Sequence, residues 1–469
     1  MAGAPALGCG GSGVCASERV SPFEPGAPAV PGFVVIAGPG RAGSPGATLT
    51  RMRGNQLSVL VLGAGIGGLT TALELHRAGI ACRVVEALPA FAPAGVGVNI
   101  LPHASLHFRE LGLDGELSRR AVLTRESAFF NRFGQLIYAE PAGRYAGYAD
   151  PQYSIHRADL HEVLLAAVTQ RLGAGALLTG HRVARVDQDS RRAVARIRRS
   201  DGSQADLEAD VVIAADGIHS AVRAQLFPGE GPPRYSGVMM WRGVTVWPPV
   251  RTGASMIRAG WLATGKLVVY PVRDDVDGRG RQLVNWVAEA ETPQLADRDW
   301  TRRGDLADFL PWFADWHFDW LDVPAMLATA ETILEYPMVD ADPLPRWSHG
   351  RLTLLGDAAH PMVPRGSNGA GQAILDARAV AEALAADPRD PVAALAAYEE
   401  RRREATAAVV LANRTNPPDA ILREVYERTG DRPFGRLEDY VTVGELAEIA
   451  ENYRRVAGYT VAGLQQRPA

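Results

Sequence analysis

The feature that most constrains the fold is a glycine-rich turn directly after a short apolar run. Residues 57–62 are almost entirely apolar, and Gly63, Gly65 and Gly68 follow them as G-x-G-x-x-G. Apolar side chains then recur at helical spacing through residues 67–78. In such a turn the first glycine permits the tight bend, the second lets the backbone approach a pyrophosphate, and the third lets helix pack on strand. The pattern predicts a strand, a turn and a helix whose N-terminus binds phosphate.

An acidic residue at the end of the next apolar run favours a dinucleotide ligand. Residues 82–85 form this run, and Glu86 ends it, 18 positions beyond Gly68. A carboxylate at this place can accept hydrogen bonds from both ribose hydroxyls of an adenine dinucleotide. The alternative, in which the glycines serve only a tight strand–helix turn, is disfavoured by this context.

Two further motifs also follow apolar, strand-like runs. Asp216 comes directly after the run that ends at residue 215, and Gly356 and Asp357 follow the run that ends at residue 355. A glycine-rich stretch, residues 366–372, then leads into a helical pattern. An acidic residue at a strand end can bind a ribityl or ribose hydroxyl, and a helix N-terminus can stabilise negative charge on a ring.

The three motifs, in this order and spacing, resemble those of the single-component flavoprotein aromatic monooxygenases, which share the fold of para-hydroxybenzoate hydroxylase. The resemblance spans roughly residues 57–413. It implies FAD as the cofactor, NADH or NADPH as the reductant and O2 as the oxidant. It also implies that a flavin hydroperoxide transfers oxygen to an electron-rich aromatic carbon, so that no catalytic side chain is expected.

The resemblance also implies positions for the cofactor contacts. Ile66, Gly67 and Glu86 would hold the ADP moiety, and Asp357 would contact the ribityl chain. Arg157 matches an arginine that reaches FAD from the start of a long helix, and Val183 matches a position that gives backbone contacts to adenine. The predicted cofactor-binding residues are Gly63, Gly65, Ile66, Gly67, Gly68, Glu86, Arg157, Val183, Asp216, Gly356, Asp357, Gly369 and Ala370.

Within the family, several stretches are similar to the branch that hydroxylates N-methylated phenazine carboxylates. They include residues 151–157, 240–244, 283–287, 336–340 and 368–375. The chain past residue 413 does not resemble that branch, and Pro364 with its neighbour alters the loop beside the flavin. The expected substrate is a planar, electron-rich aromatic or N-heteroaromatic acid, hydroxylated with or without loss of a carboxylate. The predicted pocket residues are Trp241, Arg242, Tyr270, Trp286 and Pro364.

These motifs predict an α/β fold, with a Rossmann-like FAD-binding domain interleaved with a mainly antiparallel β-sheet substrate domain and followed by a helical C-terminal region. Eight of the nine tryptophans fall within residues 235–336, where the composition suits a half-buried sheet. Trp312, Trp316 and Trp320, spaced by four, predict one buried helical face.

The expected boundaries follow from these changes in composition. They are a disordered or mis-annotated leader at residues 1–54, with Met52 as the alternative start; two parts of the FAD-binding domain at 55–232, with inserted substrate-domain strands, and at 346–412; the substrate domain at 233–345; and a helical extension at 413–469.

Charge and cysteine usage exclude other classes of function. A net charge of −4 over 469 residues argues against a nucleic-acid partner. Three cysteines give neither a disulfide framework nor a metal site, so no metal and a reducing, cytoplasmic setting are expected. No apolar run is long enough to span a bilayer, so the expected partner is a small molecule, bound by a monomer or homodimer.

Two alternative functions remain. A flavin-dependent halogenase would need a W-x-W-x-I-P segment and a catalytic lysine, and the single lysine of the chain, Lys266, is not in that context. A non-catalytic protein of the flavin-binding fold is disfavoured by Asp357 and by the glycine-rich helix start. A purified protein that contains flavin and consumes NAD(P)H and O2 would exclude it.

Overall fold

The computed structural model of the protein describes residues 57–91, 95–293 and 303–466. The predicted leader at 1–54, with Met52, and Trp300 lie outside the described residues. The described residues belong to one compact unit.

Helices alternate with strands in the first part of the described chain and make up most of its C-terminal part. Pro102 and Pro391 begin two of these helices, at first-turn positions that need no backbone donor. The helices are α1 (Ile66–Arg77), α2 (Pro102–Glu110), α3 (Asp114–Arg120), α4 (Arg157–Leu172), α5 (Ala221–Leu226), α6 (Leu306–Phe309), α7 (Val323–Ala328), α8 (Gly369–Ala386), α9 (Pro391–Thr415), α10 (Ala420–Thr429), α11 (Val443–Ala457) and α12 (Val461–Gln465).

The strands form two large sheets and three small ones. They are β1 (Ser58–Leu62), β2 (Ala81–Val85), β3 (Gly97–Ile100), β4 (Val122–Leu123), β5 (Glu126–Phe130), β6 (Leu136–Pro141), β7 (Tyr153–His156), β8 (Leu177–Leu178), β9 (His181–Gln188), β10 (Ala193–Arg199), β11 (Gln204–Ala209), β12 (Val211–Ala214), β13 (Arg234–Trp247), β14 (Ser255–Gly260), β15 (Lys266–Arg273), β16 (Gln282–Glu291), β17 (His317–Phe318), β18 (Leu321–Asp322), β19 (Ile333–Asp340), β20 (Ser348–His349) and β21 (Leu352–Leu354). The small sheets are β11-β10-β9, β3-β7-β4 and β17-β18.

A six-stranded sheet carries the glycine-rich turn. Its order is β20-β21-β12-β1-β2-β8, and all neighbouring strands are parallel except β20 and β21. β1 lies inside this sheet between β12 and β2, and its last four residues are fully buried. Burial on both faces explains why its sequence is continuously apolar instead of alternating. α1 packs against α4 and α8.

A seven-stranded sheet forms the second layer, in the order β19-β13-β16-β15-β14-β5-β6. Its neighbours are antiparallel except β14 and β5, which are parallel. One face packs on an apolar cluster that includes Phe309 and Trp316. The other face borders a cavity, which is described below. Together the two sheets and the C-terminal helices confirm the predicted α/β fold, in which a mainly parallel and a mainly antiparallel sheet are followed by a helical C-terminal region.

The C-terminal helices cover the edge of the second sheet. Ile421 and Leu422 of α10 and Leu446 of α11 share an apolar cluster with Phe129 of β5 and Ile137 of β6. α11 also packs along α9. No helix within the described residues combines the length and the apolar character that a membrane crossing needs.

The predicted helical face of Trp312, Trp316 and Trp320 is wrong. The segment contains a short 3-10 turn, Leu310–Trp312, and then the two-stranded pair β17 and β18. Pro311 lacks the backbone donor that a longer helix would require. Trp316 is nevertheless buried in the apolar cluster beneath the sheet, and the other two indoles pack against it.

Candidate active site

A cavity of about 340 Å³ lies between the parallel sheet and the seven-stranded sheet. Three chain segments of the parallel layer line it: the turn from Gly65 to Gly67, the turn that contains Gly217, and the stretch from Leu355 to Asp357. The loop 364–370 and the inner face of the second sheet complete its walls. Motifs that are far apart in sequence therefore meet around one space.

The glycine-rich turn has the geometry that a close phosphate contact requires. Gly63 has φ +99°, and a Cβ there would lie 2.4 Å from the Ala215 carbonyl oxygen. A Cβ on Gly68 would lie 1.9 Å from the Gly63 carbonyl oxygen. Gly65 differs, because a Cβ there would have no described atom within 4 Å, and this glycine begins α1 without a side-chain cap. The open side of the turn thus exposes the helix N-terminus to the cavity, as an anion site needs.

Glu86 is fixed at the end of β2, beside this turn. Its Oε2 accepts a hydrogen bond from the Ala64 amide at 2.9 Å, and its Oε1 accepts one from the Leu88 amide at 2.8 Å. Val183 lies half-buried on β9, in register with Ile197. Neither Glu86 nor Val183 lines the enclosed cavity, so their predicted contacts with the adenosine end remain predictions.

Asp216 offers a buried acceptor next to the cavity. Its Oδ2 accepts a hydrogen bond from the Ala221 amide at 3.0 Å, whereas its buried Oδ1 has no partner among the described residues. Burial raises the pKa of Asp216, although hydrogen bonds from Ser220 and the backbone oppose this. A buried oxygen without a donor is costly, so a ligand hydroxyl or amide would stabilise it. The residue fits a polar part of FAD or of a pyridine nucleotide.

The third motif places a second carboxylate and a helix end beside the other two motifs, on the parallel-sheet side of the cavity. Asp357 is exposed to the cavity at the start of a 3-10 turn. Gly369 and Ala370 begin α8, an 18-residue helix whose N-terminus borders the same space. Asn368, which precedes α8, does not cap it: its Oδ1 faces Gln372 Nε2 at 3.5 Å, and its Nδ2 donates to the Gly366 carbonyl oxygen and to Tyr453 Oη, each at 3.0 Å. The first-turn amides of α8 are therefore left to favour a negatively charged ligand.

Arg157 and three of the five predicted pocket residues line the cavity. Arg157 stands at the start of α4, where its amide donates to the Val96 carbonyl oxygen at 2.9 Å. Arg242, Tyr270 and Pro364 also line the space. Arg242 Nη2 donates to the Gly97 carbonyl oxygen at 3.0 Å.

Tyr270 is fully buried at the cavity wall. Burial raises the pKa of its phenol, and the neighbouring Arg242 opposes this shift. The phenol therefore stays protonated at neutral pH and is available to donate a hydrogen bond.

Trp241 and Trp286 do not line the cavity, in contrast to the prediction. Side chains alternate between the faces of a strand, so Arg242 points to the cavity while Trp241 points to the apolar cluster behind the sheet. There Trp241 stacks on Phe309, with 5.2 Å between ring centroids. Trp286 Nε1 donates to Thr245 Oγ1 at 3.1 Å within the same core. Both indoles are packing residues.

A buried ion cluster in the cavity wall was not predicted. Lys266, Glu289 and Asp419 are each less than one-tenth exposed, and Lys266 Nζ contacts Glu289 Oε2 at 2.9 Å and Asp419 Oδ2 at 2.5 Å. Arg258 Nε lies 3.2 Å from Asp419 Oδ1. A sequence signal for Lys266 existed, since it stands four positions before Tyr270 on one strand and therefore on the same face. Asp419 had no such signal.

The fold and these loops define a flavoprotein of the dinucleotide-binding class. The family described as "FAD binding domain" matches residues 56–300 and 335–413. The chain belongs to this family, and FAD is its cofactor. The open backbone at Gly65, the unpaired Asp216 Oδ1 and the uncapped start of α8 all fit that cofactor.

Named relatives are aromatic hydroxylases. The chain is 43% identical to the phenazine 1,6-dicarboxylic acid hydroxylase of Lysobacter antibioticus over 409 residues, which covers 86% of this chain and 97% of the relative. It is 32% identical to the 6-hydroxynicotinate 3-monooxygenase of Bordetella bronchiseptica over 360 residues, 75% of this chain and 89% of the relative. Among solved structures, a salicylate hydroxylase substrate complex matches with a TM-score of 0.66 and 26% identity, covering 88% of this chain and 99% of the other. The protein is an FAD-dependent monooxygenase.

Proposed function

We propose that this monooxygenase hydroxylates a planar aromatic or N-heteroaromatic acid, with or without loss of a carboxylate, using NADH or NADPH and O2. The observation that carries this proposal is the shared cavity: the FAD motifs line one side, and Arg242 with Tyr270 lines the other. An arginine with an open donor suits an aromatic carboxylate, because charge-assisted hydrogen bonds are among the stronger ones in proteins.

Bound FAD would supply the redox chemistry, by accepting hydride from the nicotinamide and activating oxygen. The chain itself would bind FAD, orient the substrate and shield the reacting atoms from water. Gly65 and the N-terminus of α1 would hold the pyrophosphate, and Asp357 the ribityl hydroxyls. The start of α8 would stabilise negative charge on the ring system.

The sheet wall would orient the substrate. Arg242 is fixed by its bond to the Gly97 carbonyl oxygen, so its remaining donors have a set direction. Met240, Val268 and Val287 give an apolar surface around it that excludes water from the reacting atoms. A dry, preorganised site strengthens the contact between guanidinium and carboxylate.

The position of Lys266 weakens the halogenase alternative. Its ammonium group is held between two carboxylates, so it is not an isolated, reactive amine. The lysine is more simply explained as part of the ion cluster that supports the cavity wall.

Rapid-mixing measurements of flavin reduction test the proposal. The FAD-loaded protein is mixed with NADH or NADPH in the presence of benzoate, quinoline carboxylate or phenazine carboxylate. We expect at least one acid to accelerate reduction and to yield a hydroxylated product that carries one ¹⁸O atom from ¹⁸O2. Flavin-containing protein that shows neither effect with any acid of the panel contradicts the proposal.

A further inference from the structure

A row of four cavity-lining residues crosses four adjacent strands of the second sheet. Arg242 of β13 lies beside Val287 of β16, Val287 beside Val268 of β15, and Val268 beside Arg258 of β14. All four side chains border the cavity. Neighbouring strands lie about 4.8 Å apart, so the two arginine backbones are separated by about 14 Å. The floor of the cavity is thus a short apolar strip with a guanidinium at each end.

The Arg242 end has donors to spare. Its Nη2 donates to the carbonyl oxygen of Gly97, and the guanidinium also hydrogen-bonds with the Tyr270 phenol, which carries no charge to neutralise it. Its Nε is buried and has no partner among the described residues. No carboxylate in the described part of the chain forms an ion pair with Arg242. This end therefore carries an unneutralised positive charge.

The Arg258 end is more crowded. Nε of this arginine pairs with Asp419 and its Nη1 donates to Ser127 Oγ at 2.8 Å. Its Nη2 contacts the sulfur of Met256 at 3.5 Å, and a thioether is a weak acceptor. An anionic oxygen would be a much better partner for that nitrogen.

The charges at this end do not cancel. Arg258, Lys266 and Arg365 face two carboxylates, those of Asp419 and Glu289. Arg365 lines the cavity near Asp419, and its buried Nε has no partner among the described residues. One positive charge is left over, so this end also suits an anionic group.

We propose that the cavity is built for a planar aromatic dianion, with one anionic substituent at Arg242, the ring over Val268 and Val287, and the second at Arg258 and Arg365. This inference rests on the proposed hydroxylation of aromatic acids and narrows its substrate class. It also gives the C-terminal segment a role, because Asp419 of that segment orients Arg258 and Lys266 at the second end.

Binding titrations with the FAD-loaded protein test the proposal through the flavin absorbance. The probes are phenazine-1-carboxylate and phenazine-1,6-dicarboxylate, which differ in one anionic group. We expect the Kd of the dicarboxylate to be about 10-fold lower, since the second group gains charge-assisted hydrogen bonds. Equal Kd values for the two acids overturn the proposal.

Single variants at the two ends sharpen the test. Arg365→Gln should raise the Kd of the dicarboxylate about 10-fold but that of the monocarboxylate less than about 3-fold, because a monoacid can still use the Arg242 end. Arg242→Gln should likewise raise the Kd of the dicarboxylate more than that of the monocarboxylate, because a monoacid can still use the Arg258 end. Arg365→Lys should restore part of the preference for the dicarboxylate. Arg401→Gln, which removes a guanidinium with a 60% exposed side chain outside the cavity, serves as the control.

The outcomes separate this inference from the proposed function. A loss of affinity that is equal for both acids in Arg365→Gln contradicts the two-ended site, even if both acids accelerate flavin reduction. If no acid of the panel accelerates reduction in the unaltered protein but the Kd ratios are as expected, the proposed reaction fails and the dianion site stands.

Discussion

At the scale of single residues, a substitution at Gly65 should weaken FAD binding without disturbing the folded protein. Its φ is −75° and a Cβ there would have no described atom within 4 Å, so alanine fits the protein itself. We expect Gly65→Ala to place a methyl group where the pyrophosphate approaches. Lost hydrogen bonds to a charged group cost about 1.5–3 kcal/mol each, so FAD affinity should fall about 10- to 100-fold. Fluorescence titration of the apoprotein with FAD measures this.

The matched control is Gly175→Ala, since Gly175 also has open space around it but lies outside the cavity. Thermal unfolding of both apoproteins should show only small changes, because a helix N-cap change from glycine costs about 1 kcal/mol or less. Unchanged FAD affinity in Gly65→Ala would remove this turn from the cofactor site.

Asp376 links the stability of the site to pH. It is fully buried on α8, where it accepts hydrogen bonds from the Gly356 amide at 3.2 Å and from Arg402 Nε at 2.7 Å. Burial tends to raise the pKa of this carboxyl, but His360 and Arg402 outweigh burial, and the pKa is lowered overall. The charged form is therefore part of the folded state that holds the Gly356 turn in place.

A lowered folded pKa fixes the sign of the pH dependence. The contribution of Asp376 is present above its unfolded pKa of about 4 and is lost as pH falls through the lower folded value. We expect Asp376→Asn to cost about 3 kcal/mol at pH 7 and to flatten the loss of stability as pH falls below about 4. Urea unfolding across pH measures both effects. Asp319→Asn, at an exposed position, is the control, and an unchanged slope in Asp376→Asn would contradict the assignment.

At the scale of elements, the ion cluster joins β15, β16 and the start of α10. Removing one member of a buried ion pair costs about 3–5 kcal/mol, whereas replacing both by apolar groups costs much less. We expect Lys266→Met to be strongly destabilising, and the double variant with Glu289→Leu to be more stable than Lys266→Met alone. Chemical unfolding of both proteins tests this difference.

The exposed ion pair of Arg428 and Glu445 is the control for the variants of the buried cluster. Arg428→Met should leave the unfolding midpoint unchanged, because water screens exposed charges. If the double variant is less stable than Lys266→Met alone, the pair of Lys266 and Glu289 does not hold the ion cluster together.

Strand alternation explains why the pocket was only partly predictable at this scale. The sequence indicated that residues 235–336 form a sheet, and Arg242 and Tyr270 do face the cavity. A strand pattern does not say which of its two faces meets the cofactor, since both are buried here. Aromatic residues such as Trp241 and Trp286 suit a ligand pocket, but their positions along the strands place them on the face that packs on the core.

At the scale of the whole molecule, the sequence predicts the local motifs but not the long-range contacts. The glycine turn, Glu86, Asp216 and Asp357 each follow a strand that the sequence shows directly. The contact between Lys266 and Asp419 spans 153 positions, and no local pattern specifies it. The predicted domain boundaries, with substrate-domain strands inserted into residues 55–232, stay a prediction; β5 and β6, which lie within that range, belong to the second sheet.

The C-terminal segment also contacts the loop 364–370 that lines the cavity, through Tyr453 of α11. Its hydroxyl donates to Asn413 Oδ1 at 2.6 Å and accepts from Asn368 Nδ2 at 3.0 Å, directly before α8. Gly366 is confined by the same ring, because a Cβ there would lie 1.7 Å from Tyr453 Oη. A helix outside the matched FAD-binding segments thus fixes the loop that leads into α8.

Tyr453→Phe tests whether this contact matters for function or only for packing. We expect the FAD dissociation constant to rise about 5-fold, since a residue that acts through a neighbouring loop changes binding by about 0.5–2 kcal/mol. Tyr440→Phe, at a 40% exposed position on the same segment, should leave FAD binding unchanged. A Tyr453→Phe protein that is less stable but binds FAD normally would assign α11 a packing role alone. Weaker FAD binding in the folded variant would instead make the C-terminal segment a working part of the active site.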